Sequence, residues 1–142
     1  MFYLDTSSLL KLLLEEPESE VVRNAVAAEN KVLVSALAEL EAEVQLKAGW
    51  LAGKYSRSRW HRYEKGLQHF RQLEPFEFRS LAGTLFQTAL AQHRKNEHLH
   101  GRTLDRLHLA AMAELSVNRL MTHDDAQAKA AQVLGYEVLS PR

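Results

Sequence analysis

Short apolar runs alternate along the whole chain with longer segments of helical period, and this alternation constrains the fold more than any other feature. Phe2-Tyr3-Leu4, Lys31-Val32-Leu33-Val34, Phe76-Glu77-Phe78, Arg119-Leu120-Met121-Thr122 and Tyr136-Glu137-Val138-Leu139 read as strands. Between them the spacing predicts helices from Ser8 to Glu15, Glu18 to Glu29, Ser35 to Gly53, Lys54 to Leu73, Leu81 to Lys95, Leu104 to Leu115 and Asp125 to Leu134. Thr6 and Ser7, Ser35, and Thr103 are the expected N-cap hydroxyls, and Gly135 the residue that ends the last helix. Strands separated by helices require crossover connections, so the expected class is α/β with a mostly parallel sheet.

The chain has 142 residues, the size of a single domain spanning positions 1–142. Such a domain buries enough surface to fold without a disulfide or metal staple. It has no cysteine, which excludes a disulfide scaffold, a thiolate zinc site and a cysteine nucleophile. Its 18 basic and 18 acidic side chains balance, which excludes a uniformly basic, histone-like protein. Leu12-Leu13-Leu14 is far short of a membrane span, and no basic and apolar leader precedes Asp5. The expectation is a cytoplasmic protein with no membrane segment.

In an open parallel sheet, ligands bind beyond the carboxyl ends of the strands. Asp5 ends the first strand, and Asp124 and Asp125 follow the strand that ends near Thr122. Helix angles address the remaining acids. With Leu37 at 0° and about 100° per residue, Leu40, Val44 and Ala48 fall near 300°, 340° and 20°, the expected buried stripe. Glu41, at about 40°, lies within it, whereas Glu39 and Glu43 point away. An ionised carboxylate on an apolar face must be paired or bound to a metal. Asp105 stands in the first turn of its helix, at the edge of the apolar face, where the helix dipole favours an anion.

Four converging carboxylates repel one another and call for cations between them. Hard oxygen ligands suit Mg²⁺, with Mn²⁺ as substitute, rather than zinc. Such a site activates water and neutralises charge on a scissile phosphate, so the reading is a metal-dependent phosphodiesterase.

These segments resemble the PIN-domain ribonucleases, and among them the VapC-type toxins of toxin–antitoxin pairs. Met1 to Lys11 is similar to the family's opening strand and D-[TS]-S, Ser35 to Glu41 to its S-x-L-x-x-x-E, and Arg102 to Ala110 to its L-D-x-L-H-L-A helix start. Met121-Thr122-His123-Asp124 is similar to its T-x-D, and Leu134-Gly135-Tyr136 to the L-G before the last strand. The resemblance implies a three-layer α/β/α domain around a four- to five-stranded sheet. It also implies Asp5, Glu41, Asp105 and Asp124 as catalytic, metal-binding residues. Asp125 is the alternative for the fourth, with T-x-D favouring Asp124. Ser7 and Thr122 are candidates for contact with metal, water or phosphate, and Arg102 for contact with phosphate. The implied activity is Mg²⁺-dependent RNA cleavage leaving a 3′-hydroxyl and a 5′-phosphate. The implied partners are RNA, a cognate antitoxin and a second copy of the chain. The alternative reading is a catalytically inactive PIN domain that binds RNA or a protein.

From Lys54 to Arg71 there are six basic residues against one acidic residue, a candidate stripe for RNA phosphates or a solvated helix face. Trp60, Tyr63 and Phe70 have the spacing of a core or dimer face. His108 reads as a hydrogen-bonded core histidine and His123 as a turn residue.

Overall fold

The computed structural model describes all 142 residues. Its strands are β1 (Phe2–Leu4), β2 (Val32–Ser35), β3 (Phe76–Arg79), β4 (Arg119–Met121) and β5 (Glu137–Leu139). Its helices are α1 (Thr6–Leu13), α2 (Ser19–Ala27), α3 (Ala36–Leu51), α4 (Arg57–His69), α5 (Leu85–Lys95), α6 (Thr103–Glu114) and α7 (Asp125–Val133). The five strands form one sheet in the order β3-β2-β1-β4-β5, and every neighbouring pair is parallel. The chain builds outward from β1 to β3, then returns to the other side of β1 for β4 and β5. The order therefore reverses between β1 and β4, where a crevice forms beyond the strands' carboxyl ends.

Strand alternation sends side chains into two cores. Phe2, Leu4, Val32, Val34 and Met121 meet Leu9, Val22, Ala42, Leu46 and Leu67 from α1–α4 on one face. Tyr3, Leu33 and Leu120 meet Leu107, Met112 and Ala131 from α6 and α7 on the other, where Leu85 of α5 also packs. With helices on both faces the strands read as continuous apolar runs, and the three layers of the α/β/α expectation are present. No helix is long and apolar enough to cross a membrane.

Several local expectations are corrected. α1 begins at Thr6, not Ser8, with Asp5 in the cap position. Thr6 and Ser7 therefore lie inside the first turn, and their hydroxyls reach other elements instead of capping. Thr103 is likewise the first residue of α6 rather than its cap. Ser35 does cap α3, its Oγ accepting from the Ala38 N–H at 3.1 Å. Gly135 follows α7 with φ 85°, a conformation that favours glycine.

The largest correction concerns α3. Its buried stripe is Ala38, Ala42, Leu46 and Gly49, while Leu40 and Val44 are 61% and 59% exposed. Small side chains let α3 pack closely against α1, α4 and β2, so the larger leucine and valine face outward. Glu41 sits at the border of the buried stripe, not within it.

Candidate active site

Asp5 occupies the carboxyl end of β1, and its main-chain N–H continues the β1–β4 ladder by donating to Met121 O at 3.0 Å. Its buried carboxylate accepts at Oδ2 from the Thr122 hydroxyl at 2.7 Å and from the Ser7 hydroxyl at 3.3 Å. Ser7 also accepts from the His123 N–H, and Thr122 from the Asp124 N–H. The Thr122 proton is committed to Asp5, so this hydroxyl and Ser7 hold the carboxylate and the β4–α7 turn together. Burial pushes the Asp5 carboxyl up; His108 and the Thr122 hydrogen bond oppose that shift, and nearby Asp105 adds to it.

Glu41 projects from the first turns of α3. Its Oε1 accepts from the Thr6 hydroxyl at 3.0 Å and makes a short hydrogen bond with His108 Nε2. Burial pushes its carboxyl up, but His108, Thr6 and the charge of Arg102 outweigh that and hold it below the ordinary carboxylate value. The same His108 Nε2 lies 3.6 Å from Asp5 Oδ1. Glu41 is thus joined to Asp5 through a histidine, with no lysine or arginine against it.

Asp105 and Asp124 are joined by an arginine. The Arg102 Nε–H donates to Asp105 Oδ2 at 3.2 Å, and an Nη2 lies 3.8 Å from Asp124 Oδ2. The Asp105 hydrogen bond, then the charges of Asp105, Asp124 and Glu41, raise the Arg102 pKa. The Arg102 side chain is itself 82% exposed, at the rim of the crevice. Asp124 caps α7 through Oδ1, which accepts from the Gln127 N–H at 3.0 Å. Asp125, by contrast, is 88% exposed and faces Arg142 at 3.4 Å. Gln127 ties α7 to α6 by donating to the Asp105 carbonyl at 2.9 Å.

The four acids therefore come from four segments, around one crevice. No three histidine, aspartate or glutamate side chains are gathered tightly enough to enclose an ion, with Arg102 between Asp105 and Asp124 and His108 between Glu41 and Asp5. The donor chemistry nonetheless fits a hard divalent cation, because every candidate ligand is an oxygen. Glu41 also uses only Oε1 in its hydrogen bonds, which leaves Oε2 free.

Residues outside the expected set turn out to matter. Tyr3, Ser35 and His108 form a buried chain behind Glu41, and Thr6 holds its carboxylate. The sequence marked His108 as a hydrogen-bonded core histidine by its place on the apolar face of its helix, but not Glu41 as its partner. His123 is a latch: Nδ1 pairs with the Ser8 hydroxyl at 2.8 Å and Nε2 with Pro141 O at 2.7 Å. Arg106 turns away from Asp105 and donates to the carbonyls of Leu99 and Gly101. Trp60, Tyr63 and Phe70 pack on the first core, with Trp60 stacked on Trp50. In the basic stripe, Arg71 is taken up by Glu39.

An all-parallel five-stranded sheet between helical layers is the architecture of a known family. The PIN domain matches residues 2–133, and the chain belongs to the PIN-domain family. It is of the VapC type, being 34% identical to "Ribonuclease VapC46" of Mycobacterium tuberculosis over 98% of this chain and 96% of that protein. The fold matches M. tuberculosis VapC20, described as a sarcin–ricin loop cleaving toxin, with a TM-score of 0.74, 15% identity, and 99% and 100% of the two chains covered. It also matches VapBC2 of Rickettsia felis, solved on a promoter DNA fragment, with a TM-score of 0.72, 14% identity and full coverage of both chains. FitAcB of Neisseria gonorrhoeae follows at 0.69, 16% identity, and 99% and 98% coverage.

Proposed function

We propose that this chain is the toxin of a type II toxin–antitoxin pair, an endoribonuclease that depends on Mg²⁺ and accepts Mn²⁺. The observation that carries the reading is the convergence of Asp5, Glu41, Asp105 and Asp124 at the β1–β4 switch point, joined through Arg102 and His108. Family membership and the ribonuclease name of the 34% identical relative support it.

In this reading the four carboxylates hold the cation. When bound, a hard divalent ion lowers the pKa of a water and offsets the charge that develops on a scissile phosphate. Ser7 and Thr122 orient Asp5, and Thr6 orients Glu41. Arg102, on the rim, binds a phosphate of the substrate strand. The partner is a protein antitoxin, as in the toxin–antitoxin complexes among the similar structures. The exposed Leu40, Val44 and Leu51 of α3 and Phe86 and Leu90 of α5 support a homodimer, read by sedimentation. The working compartment is the cytoplasm.

The test is cleavage of RNA by purified protein with Mg²⁺ and with EDTA, beside a folded Asp5→Asn variant. Cleavage that EDTA and Asp5→Asn both abolish is expected. Cleavage by Asp5→Asn at the wild-type rate would sink the assignment. A wild-type protein that binds RNA without cutting it under Mg²⁺ or Mn²⁺ would favour the inactive-module reading.

A further inference from the structure

Behind Glu41 runs a chain of buried polar groups whose connection to that carboxylate the expected roles of its members leave unexplained. The Tyr3 hydroxyl lies 2.6 Å from Ser35 Oγ and 2.6 Å from His108 Nδ1. The other ring nitrogen of His108 meets Glu41 Oε1 and lies 3.6 Å from Asp5 Oδ1. Tyr3, Ser35 and His108 are all buried, so each proton must have a definite acceptor.

The directions follow from the two ends. Two carboxylates face Nε2, and a lone pair there would repel both, so Nε2 carries the proton. The other nitrogen, Nδ1, is filled by the Tyr3 hydroxyl over 2.6 Å. Ser35 already accepts from the Ala38 N–H, which leaves its own proton free for the Tyr3 oxygen. The chain therefore runs from Ser35 to Tyr3, to His108, to Glu41. It draws on β2, β1, α6 and α3, the elements that must keep their relative places if the acids are to stay together.

We propose that His108 is a positioning residue, held in place by Tyr3 and Ser35 so that its Nε2–H fixes Glu41 Oε1 and separates Glu41 from Asp5. Glu41 Oε2, free of hydrogen bonds, is thereby presented to the crevice. This rests on the metal-dependent reading above. Partners of this kind, one bond behind a ligating carboxylate, typically change metal affinity about 10- to 100-fold when removed.

The experiment is Mn²⁺ binding to the purified full chain, followed by electron paramagnetic resonance, which reads affinity without reference to turnover. Tyr3→Phe keeps the ring and removes only the hydroxyl; it is expected to weaken binding about tenfold, and His108→Leu by more. His108→Gln, which restores an N–H donor, recovers part of that loss. The Tyr3→Phe/His108→Leu double variant binds no more weakly than His108→Leu, because Tyr3 acts only through the ring. Circular dichroism verifies the fold of each variant, and His108→Gln replaces His108→Leu in the cycle if the latter unfolds. Unchanged Mn²⁺ affinity in the folded Tyr3→Phe variant overturns the proposal, as do losses that multiply in the double variant. Lower melting temperatures at constant affinity would mark the chain as structural only and overturn it equally. Absence of Mn²⁺ binding by the wild-type protein would refute the metal-dependent reading itself.

Discussion

The Thr122 hydroxyl donates to Asp5 Oδ2 over 2.7 Å, linking the carboxyl ends of β4 and β1 where the strand order reverses. Both residues are buried, so no water replaces a lost donor. Thr122→Val preserves the side-chain shape and leaves the carboxylate short of a hydrogen bond. The expected cost is about 1–3 kcal/mol, measured as a lower urea midpoint at constant m-value.

Gly49 lies in the interior of α3, where alanine would ordinarily gain about 1 kcal/mol. A Cβ there would overlap the hydroxyl and ring of Tyr55. The Tyr55 hydroxyl donates to Leu46 O at 2.6 Å and its ring packs edge-on against Tyr63, so the side chain cannot swing aside without losing both contacts. Overpacking of about 1–3 kcal/mol outweighs the helix gain. Gly49→Ala is expected to lower stability, and a higher melting temperature would contradict the packing argument.

Glu43 has its carboxyl pushed up from 4.5 to about 7, first by burial and then by Glu64 across the α3–α4 contact. The folded chain therefore retains a proton that the unfolded chain releases. Stability from this group is present below the unfolded value and is lost as pH rises through about 7. Glu43→Gln removes the penalty at high pH. The expected outcome is a melting temperature above wild type at pH 8, with the difference closing by pH 5.

Arg106 clasps the loop that precedes α6, with Nη2 on Leu99 O at 3.0 Å and Nε on Gly101 O at 3.1 Å. That loop carries Arg102 to the rim of the crevice. Arg106→Ala should let it open locally without melting the sheet. Hydrogen exchange at 96–102 is expected to quicken about tenfold or more, while the strand amides keep their protection.

Much of the frame was legible because its signals are local. The apolar strand runs, the Ser35 cap and the turn at Gly135 all rest on neighbouring residues, and Asp5 and Asp124 could be placed because strand ends are visible in the pattern. The face of α3 was not legible. Its apolar residues surround much of the helix, so periodicity favoured Leu40, Val44 and Ala48, which are exposed, whereas close packing selected Ala38, Ala42 and Leu46. Glu41 was reached by that argument, but it lies at the stripe's border. The cap hydroxyls of Thr6 and Ser7 were misassigned for a related reason, since their acceptors, Glu41 and Asp5, face them only in the folded chain.

By itself the order of residues determined that five strand-forming runs alternate with helices, that the domain is α/β, and which acids stand at strand ends and helix starts. Periodicity and capping act over a few residues, so one dimension suffices for them. Only the tertiary structure decided that Tyr3 meets His108 across 105 positions, that the same ring holds Glu41, and that Arg102 bridges Asp105 toward Asp124. Those partners are chosen by sheet order and helix packing, which set distances between segments that no local pattern encodes.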